Sequence, residues 1–369
     1  MNMTFRTILR LALLLAVAGT LSACDDSSQN IGWEPGDSLA IIGKTEIALP
    51  DPDADLPAES SYYVQAFTIE KDYTWDVEGP GSPDYSVRRE GEYADVTFPE
   101  EGNYIISIDD GVEYDGEVEV SVVPTVLAEI ERSYASLFAA SEAAGIDGTL
   151  EDASGVTVFA PTEAAFEPVL ESLGGELPAP GVLADILTYH VLAAQVPSGD
   201  IEDGADAATL YGESYPLSFS IDGDAVSVDG AVNGANVTAT DIPVANNVAL
   251  HEIDTVLLPP TASVDVSDQA VVVENGVTSA TVDGVYLPDG GFAVVEDADG
   301  DIIGTSDYVE GGIVNGVTVE LDATVEEDTD VLVVMYNDDG DEAFDDSVDT
   351  PYERGEELVS DDAVLSPAE

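Results

Sequence analysis

The segment from 124 to 260 combines the hydrophobic period of helices with that of strands, and its longest run of alternating residues follows its helices. Between Val182 and Leu192, apolar side chains recur at i, i+3, i+4 and i+7, which places them on one face of a helix. Between Leu217 and Ile221 they alternate with polar residues, and the Asp222-Gly223 pair that follows is typical of a tight hairpin turn. Helices that precede an antiparallel sheet predict an α+β domain.

The stretch from Gly155 to Phe166 carries the first strand of this domain. Apolar and small residues alternate up to Pro161, which ends the strand, and Thr162 is suited to cap a helix that buries Phe166. The pattern predicts a packing unit rather than a catalytic motif.

Three blocks in this segment resemble the fasciclin (FAS1) adhesion domain. They are Thr157 to Phe166 (TVFAPTEAAF), the pair Tyr189-His190, and His251 to Pro259 (HEIDTVLLP). The resemblance implies the fasciclin fold for residues 124–260. It also implies a structural role for Thr157, Phe159, Pro161, Phe166, His251 and Asp254. One departure is Asn247, which stands where the family has a turn glycine; asparagine tolerates left-handed dihedral angles, so we expect the turn to form.

The resemblance also implies a contact surface. In animal fasciclin proteins the Tyr-His region and an Asp-Ile pair are tied to integrin binding. The matching positions here are Tyr189, His190, Asp241 and Ile242. Only the positions carry over, as candidate contact residues for a different partner.

His190 and His251 are the only two histidines in the chain. Either they bind a metal or act as general bases, or each imidazole hydrogen-bonds a backbone carbonyl in the core. We favour the second interpretation, because the sequence offers neither imidazole a cysteine or a Gly-x-Ser-x-Gly serine to activate. We therefore expect no enzymatic activity and no cofactor.

The N-terminal residues 1–23 have the composition of a secretory signal, with two arginines before an apolar run from Leu11 to Ala18. That run is too short to cross a bilayer of about 30 Å comfortably. Leu21-Ser-Ala-Cys24 resembles a prokaryotic lipobox, which implies cleavage before Cys24 and a lipid on its sulfur. The alternative is an ordinary signal with an incidental cysteine. A lipid on Cys24 predicts a membrane-anchored protein at the cell surface or in the cell envelope, facing the outside or the periplasm.

Residues 24–38 are expected to form a tether, after which residues 39–123 change to short, aromatic-rich strands. This spacing predicts a β-sandwich of immunoglobulin or polycystic-kidney-disease (PKD) type with Trp75 in its core, and Gly102-Asn-Tyr104 resembles a turn of PKD domains. We expect this domain to act as a spacer. Glycan binding is the alternative, and it would need exposed aromatic side chains such as Tyr62.

We interpret residues 261–268 as a linker and residues 269–369 as a second, acidic all-β domain, because apolar strands there are bounded by Asp-Gly and Gly-Gly turns. Motifs such as Val317 to Leu321 and Pro351-Tyr352 resemble an uncharacterised β-domain of secreted proteins from salt-loving archaea, which implies no activity. The whole chain is thus expected to be multidomain, with a central α+β fasciclin module flanked by two all-β, sandwich-like domains.

Two acidic stretches of this last domain are candidate calcium sites. Asp297, Asp299 and Asp301 lie in the first, and the second runs from Asn337 to Glu342. An EF-hand needs glycine at position 6 and a carboxylate at position 12. Counted from Asp297, these positions hold Ile302 and Tyr308. Hairpin turns in an acidic background explain both stretches better than a metal does.

The charge of the chain limits its partners. It has 77 acidic against 8 basic residues and a formal net charge of −69, which would repel nucleic acid and anionic headgroups. Such carboxylates repel one another over about 10 Å at 0.1 M salt but only about 3 Å at 1 M. Because the acidic residues are spread along a chain that is 44% hydrophobic, they favour a folded protein adapted to concentrated salt rather than a disordered one.

Three functions follow from these observations. The first is a lipid-anchored adhesion protein whose fasciclin module binds an extracellular polysaccharide or a surface protein. The second is a structural spacer of the cell envelope. The third is a secreted hydrolase that uses paired carboxylates, although no feature singles out one pair among the 77 acidic residues.

Overall fold

The computed structural model describes residues 40–49, 57–65, 73–89, 91–111 and 115–368. They form three regions in chain order: a β-sandwich, an α+β region and a second all-β region. The predicted signal at 1–23 and the whole predicted tether at 24–38, which includes Cys24, lie outside the described residues. In the described parts, no helix is both long and apolar enough to cross a bilayer.

The first region is a sandwich of two four-stranded sheets around one core, with strand orders β1-β3-β6-β5 and β2-β8-β7-β4. Its strands are β1 Ala40–Ile42, β2 Glu46–Leu49, β3 Ala58–Gln65, β4 Thr74–Glu78, β5 Asp84–Arg88, β6 Tyr93–Phe98, β7 Gly102–Asp109 and β8 Asp115–Pro124. Trp75 is buried, as predicted, and its indole N–H donates to the carbonyl of Gly91 at 2.7 Å. Tyr104 is also buried, and its hydroxyl donates to the Glu100 carbonyl at 2.7 Å.

Tyr62 does not meet the requirement for glycan binding, because its side chain has no exposed surface. It faces the core, since successive side chains of a strand point to opposite sides of the sheet. The neighbouring Tyr63 points outward and is 43% exposed. The exposed aromatic side chain at this position is therefore Tyr63, and the expectation that Tyr62 is exposed was wrong.

Five helices form one layer of the α+β region. They are α1 Val126–Ser133, α2 Ala135–Ala144, α3 Asp147–Glu151, α4 Glu163–Ser172 and α5 Pro180–Tyr189. In the sequence, Pro124 and the helical spacing of Leu127, Ile130, Tyr134 and Leu137 predict one helix that ends near Gly145. Instead Pro124 ends β8, Thr125 caps α1 by accepting from Ala128 N–H at 3.2 Å, and Tyr134 leaves helical dihedral angles and divides α1 from α2. Gly145, at φ 67°, ends α2.

The other layer of the α+β region is a closed barrel of seven strands in the order β10-β11-β12-β13-β14-β15-β9. Its strands are β9 Thr157–Pro161, β10 Val191–Leu192, β11 Asp206–Thr209, β12 Gly212–Asp222, β13 Ala225–Asp229, β14 Gly234–Ile242 and β15 Ala249–Ile253. One apolar core lies between the helices and the barrel, and a second fills the barrel. Asn247 adopts φ 55°, so the asparagine does form the left-handed turn that was expected.

The third region is all β around a single core. Its strands are β16 Ser263–Asp265, β17 Gln269–Ala270, β18 Val272–Glu274, β19 Val277–Leu287, β20 Gly291–Asp297, β21 Ile302–Ser306, β22 Gly312–Leu321, β23 Thr329–Asn337, β24 Thr350–Pro351, β25 Glu353–Arg354, β26 Glu357–Leu358 and β27 Ser360–Ser366.

The expected linker at 261–268 is instead part of this third region. β16 pairs with β19, while Ala262 and Val266 are buried in the core of the region. The chain then continues into β17, which pairs with β27, and into β18, which pairs with β19. The segment therefore joins the two edges of the sheet, and only a few residues separate the α+β region from it.

Candidate binding surface

His190 is a buried structural residue. It follows α5, its exposed fraction is 2%, and its Nε2 accepts the backbone N–H of Leu257 at 2.9 Å. The other ring nitrogen, Nδ1, must then carry the proton, and it donates to the carbonyl of Ile186 at 2.8 Å. Burial lowers the pKa of His190 to about 4. Both nitrogens are occupied by backbone groups, so the ring offers no lone pair to a metal or a substrate proton.

In His251 the donor and acceptor roles of the two ring nitrogens are exchanged relative to His190. Its Nδ1 accepts the backbone N–H of Asp241 at 3.2 Å, and its Nε2 donates to the carbonyl of Val196 at 3.0 Å. The ring also contacts Phe159, with centroids 5.8 Å apart. The two histidines thus hold together strands and loops that are distant in sequence.

The remaining motif residues hold the same framework. Thr157 Oγ1 donates to the Ala194 carbonyl at 2.7 Å and accepts Val196 N–H at 2.8 Å. Pro161 is the last residue of β9, and Phe166 on α4 is buried in the core beneath the helices. Asp254 accepts both the backbone and side-chain N–H groups of Asn236, at 2.8 and 2.7 Å.

The candidate contact residues separate into a buried pair and a surface pair. Tyr189 has no exposed surface and His190 almost none, so the expectation that they touch a partner is wrong for this structure. Asp241 is exposed and Ile242 is half-buried against the core beneath the helices. The sequence motif identified all four, but only the sheet and helix packing shows which two reach the surface.

Asp241 is held in an unusual position. Its backbone is left-handed, at φ 51°, where residues other than glycine are uncommon. Its carboxylate accepts the backbone N–H of Ser198 at 3.0 Å and the Ser198 hydroxyl. Although partial burial acts to raise it, these hydrogen bonds lower the pKa of Asp241. The result is a fixed, exposed carboxylate beside the loop that follows β10.

The third region packs against helix α5 of the α+β region. Arg354 on β25 donates to both carboxylate oxygens of Asp185 on α5, with Nη1 to Oδ1 at 2.9 Å. Its guanidinium also lies 4.1 Å from the centroid of the Tyr211 ring, which in turn packs edge-on against Tyr189. The side chains of Arg354 and Asp185 are only 15% and 5% exposed, so this bidentate ion pair is mostly shielded from water.

Further contacts extend this boundary along α5. Asn315 on β22 accepts Ala179 N–H at 3.1 Å and donates to the Leu177 carbonyl at 2.8 Å, while Asp265 accepts Gly181 N–H at 2.9 Å in the first turn of the helix. Tyr286 on β19 is buried in the core beneath the helices, and its hydroxyl donates to the Pro259 carbonyl at 2.9 Å. A residue of the third region thus completes the core of the second.

The acidic loops of the third region are ordered by their own backbone. Asp297 Oδ1 accepts the N–H groups of Asp299 and Asp301, at 2.9 and 3.0 Å, as in a hairpin turn. Within the described residues, the group of carboxylates close enough to share a metal is a different one, Asp338, Asp339 and Asp349, with ligand atoms within 4.8 Å of one another. Asp349 there accepts the N–H groups of Asp339 and Asp345, so the loop geometry accounts for its position.

Two family models match the chain. The fasciclin domain matches residues 132–259, and a domain of unknown function, DUF7282, matches residues 262–366. The first match lies within the α+β region and the second within the third region. The boundary between the two domains is therefore the short connection after Pro259. This boundary agrees with the structure, in which β16 belongs to the third region.

Curated relatives match mainly through the fasciclin segment. Protein sll1483 of Synechocystis is 34% identical over 132 residues, which are 35% of this chain and 69% of the relative. Cell surface glycoprotein 2 of Haloarcula hispanica is 35% identical over 107 residues, which are 28% of this chain and 11% of the relative. Cell surface glycolipoprotein MPB83 of Mycobacterium bovis is 38% identical over 105 residues, which are 28% of this chain and 44% of the relative.

The matches to the last two relatives span less than half of those proteins, and their names describe proteins of the cell surface. The cyanobacterial protein is covered over more than two thirds of its length, and the fasciclin model covers the segment that holds both buried histidines. The chain belongs to the fasciclin domain family.

Proposed function

We propose that this protein is a lipid-anchored, salt-adapted adhesion protein of the cell surface. Its fasciclin domain would contact an extracellular matrix polysaccharide or another surface protein without catalysing a reaction. The observation that carries the proposal is the use of all four imidazole nitrogens for backbone hydrogen bonds. The histidines therefore stabilise a rigid scaffold, and the names of the relatives support a role at the surface.

The contact surface proposed for the fasciclin domain is centred on Asp241. Its carboxylate is exposed and held in place by Ser198, whereas Tyr189 and His190 are buried. A rigid charged group loses little conformational entropy on binding, which favours specific contact. Ile242 contributes a half-buried apolar edge beside it.

The adhesion proposal is tested by binding of the full chain, at molar salt, to immobilised envelope polysaccharide and surface proteins of the producing cells. Asp241→Asn keeps a residue that tolerates the left-handed backbone but removes the charge, and it should weaken saturable binding about tenfold. Asp222→Asn, at the tip of the β12–β13 hairpin, is the matched control and should bind as the wild type does. Absence of saturable binding would favour the structural spacer, and turnover that is lost on changing one carboxylate would favour the hydrolase.

The proposed lipid anchor is tested separately. Cys24→Ser should move the protein from the membrane fraction to the soluble fraction, because one acyl-modified cysteine is the anchor we assign. Mass spectrometry of the mature N-terminal peptide should show the lipid on Cys24 in the wild type. A Cys24→Ser variant that remains with the membrane would contradict the anchor.

Salt adaptation is tested by thermal unfolding at molar and at millimolar potassium chloride. With a net charge of −69, repulsion among carboxylates should lower the unfolding temperature as the screening length grows from about 3 Å to beyond 10 Å. The same unfolding temperature at both salt concentrations would contradict the proposal.

A further inference from the structure

The N-terminal sandwich exposes a cluster of aromatic and basic side chains, Tyr63, Tyr93, Arg88 and Arg89, which we name the Tyr-Arg face. Tyr63 on β3 lies directly opposite Tyr93 on β6, and Tyr93 lies opposite Arg88 on β5. Directly opposed residues of neighbouring strands have adjacent side chains on one face of the sheet. The three side chains therefore form a row across three strands.

The row points away from the core. The strand neighbours Tyr62 and Ala94 have no exposed surface, so Tyr63 and Tyr93 occupy the outer side of the sheet. The two tyrosine rings are tilted by 34° with centroids 6.0 Å apart. The guanidinium groups of Arg88 and Arg89 lie 5.8 and 5.1 Å from the centroid of Tyr93.

The two arginines are positioned differently, Arg88 by an ion pair and Arg89 by its backbone conformation. Arg89 adopts φ 50°, a left-handed conformation that costs free energy for a side chain other than glycine. Arg88 forms an ion pair with Asp95 across the strands, with Nη2 to Oδ1 at 2.6 Å. The ion pair therefore holds the Arg88 guanidinium beside Tyr93, and Arg89 approaches the same ring from the next position in the chain.

This concentration of positive charge is exceptional in the chain. Only six lysines and arginines follow residue 24, and two of them are the adjacent Arg88 and Arg89. Arg88 is paired with Asp95, as Arg132 is with Glu101 and Glu129 and Arg354 with Asp185. Arg89, in contrast, forms no ion pair with any described residue, and its side chain is exposed. On a molecule with a net charge of −69, the Arg89 guanidinium therefore gives the Tyr-Arg face a positive group that no described carboxylate neutralises.

We propose that the Tyr-Arg face binds an acidic saccharide, a sugar chain that carries carboxylate or sulfate groups. The C–H face of a sugar ring is attracted to the electron-rich face of tyrosine, and a guanidinium pairs with a carboxylate or sulfate through two parallel hydrogen bonds. At molar salt, the screening length of about 3 Å removes the long-range repulsion between the acidic chain and the ligand, while hydrogen bonds and stacking at contact remain. The site is independent of Asp241 and gives the sandwich a binding role besides that of a spacer.

The test is calorimetric titration of the full chain with tetragalacturonate, an acidic oligosaccharide, and with maltotetraose, a neutral one, in molar potassium chloride. We expect saturable binding of tetragalacturonate and much weaker binding of maltotetraose. Arg89→Gln and Tyr63→Ala should each lower the affinity about tenfold, since each removes one charge-assisted or stacking contact. Both change exposed side chains, and near-ultraviolet circular dichroism checks that the fold is retained.

Two controls separate this site from general electrostatics and from the fasciclin surface. Arg132→Gln removes the same charge elsewhere, and Asp241→Asn changes the proposed fasciclin contact; neither should alter the affinity for tetragalacturonate. The proposal is overturned by any of four results: no saturable binding of tetragalacturonate, equal binding of maltotetraose, unchanged affinity in both variants of the face, or an equal loss with Arg132→Gln.

Discussion

The two boundaries of the fasciclin domain are built differently. At the N-terminal boundary, β8 runs directly into α1, and the side chains that cross are exposed, as in the ion pair of Arg132 with Glu101. At the C-terminal boundary, the crossing side chains are mostly buried, as in the ion pair of Arg354 with Asp185. Tyr286 of the third region also belongs to the fasciclin core, whereas the described apolar core of the sandwich is separate from it.

This difference indicates how the domains depend on one another. Exposed ion pairs contribute little to stability because water and salt screen them, whereas breaking a buried pair leaves a charge without its partner in a poorly solvated place. We infer that the fasciclin domain and the third region unfold together and that the sandwich unfolds separately. The four predictions below test this contrast in order of decreasing effect.

Removing the shared aromatic residue should have the largest effect. Tyr286→Ala deletes a buried ring from the fasciclin core and the hydrogen bond to Pro259, at a cost of about 4 kcal/mol in the free energy of unfolding. Denaturant unfolding followed by circular dichroism measures the loss. Tyr63→Ala, the same change at an exposed site of the sandwich, is the control and should cost less than about 1 kcal/mol. Similar losses in the two variants would contradict the contrast.

Breaking the buried ion pair should be the next largest change. Asp185→Ala leaves the guanidinium of Arg354 without this carboxylate and should lower the free energy of unfolding by about 3 kcal/mol. The double variant Asp185→Leu with Arg354→Met replaces the pair by apolar side chains and should recover most of this loss. An Asp185→Ala variant as stable as the wild type would show that the boundary does not depend on the pair.

Acidification should destabilise the joined domains through His190. Its pKa is about 4 in the folded chain and about 6.5 when unfolded, so the unfolded state binds more protons between these values and stability falls as the pH decreases. The contribution from pH 7 to pH 5 is about 2 kcal/mol. Because the chain has only two histidines, a nuclear magnetic resonance titration of the histidine ring protons can follow His190 directly. A midpoint near 6.5 for His190 would contradict its burial.

The smallest effect is expected at the N-terminal boundary. Arg132→Gln removes a half-exposed guanidinium that pairs with Glu101 and with the mostly buried carboxylate of Glu129, which keeps its hydrogen bond from Ser133. It should change the free energy of unfolding by about 1 kcal/mol. The effect should shrink further at molar salt, where exposed charges are screened. A loss comparable to that of Asp185→Ala would show that the two boundaries are energetically alike.

The sequence predicted those parts of the fold that local patterns determine. The three fasciclin blocks located the central domain, and the burial of Trp75 followed from its position within a strand. The expectation that both histidines bond backbone groups in the core also agrees with the structure, in which His190 caps the end of α5 and His251 lies in the middle of β15.

Long-range pairing explains what the sequence did not predict. In residues 261–268 only Ala262, Val264 and Val266 alternate with polar residues, which is too short a pattern to distinguish a strand from a linker. The segment forms β16 because β19 offers it a free edge. Alternation shows that Tyr62 and Tyr63 face opposite sides, but only the packing of the second sheet decides which side is the core. In the same way, the burial of Tyr189 depends on Tyr211 and on the third region, which the motif does not contain.

Differential scanning calorimetry of the full chain at molar salt tests most directly whether the fasciclin domain and the third region form one unit. We predict two unfolding transitions, one for the sandwich and one for the joined domains, with Asp185→Ala lowering the temperature of the second only. Three separate transitions, or a second transition that is unchanged by Asp185→Ala, would contradict this account.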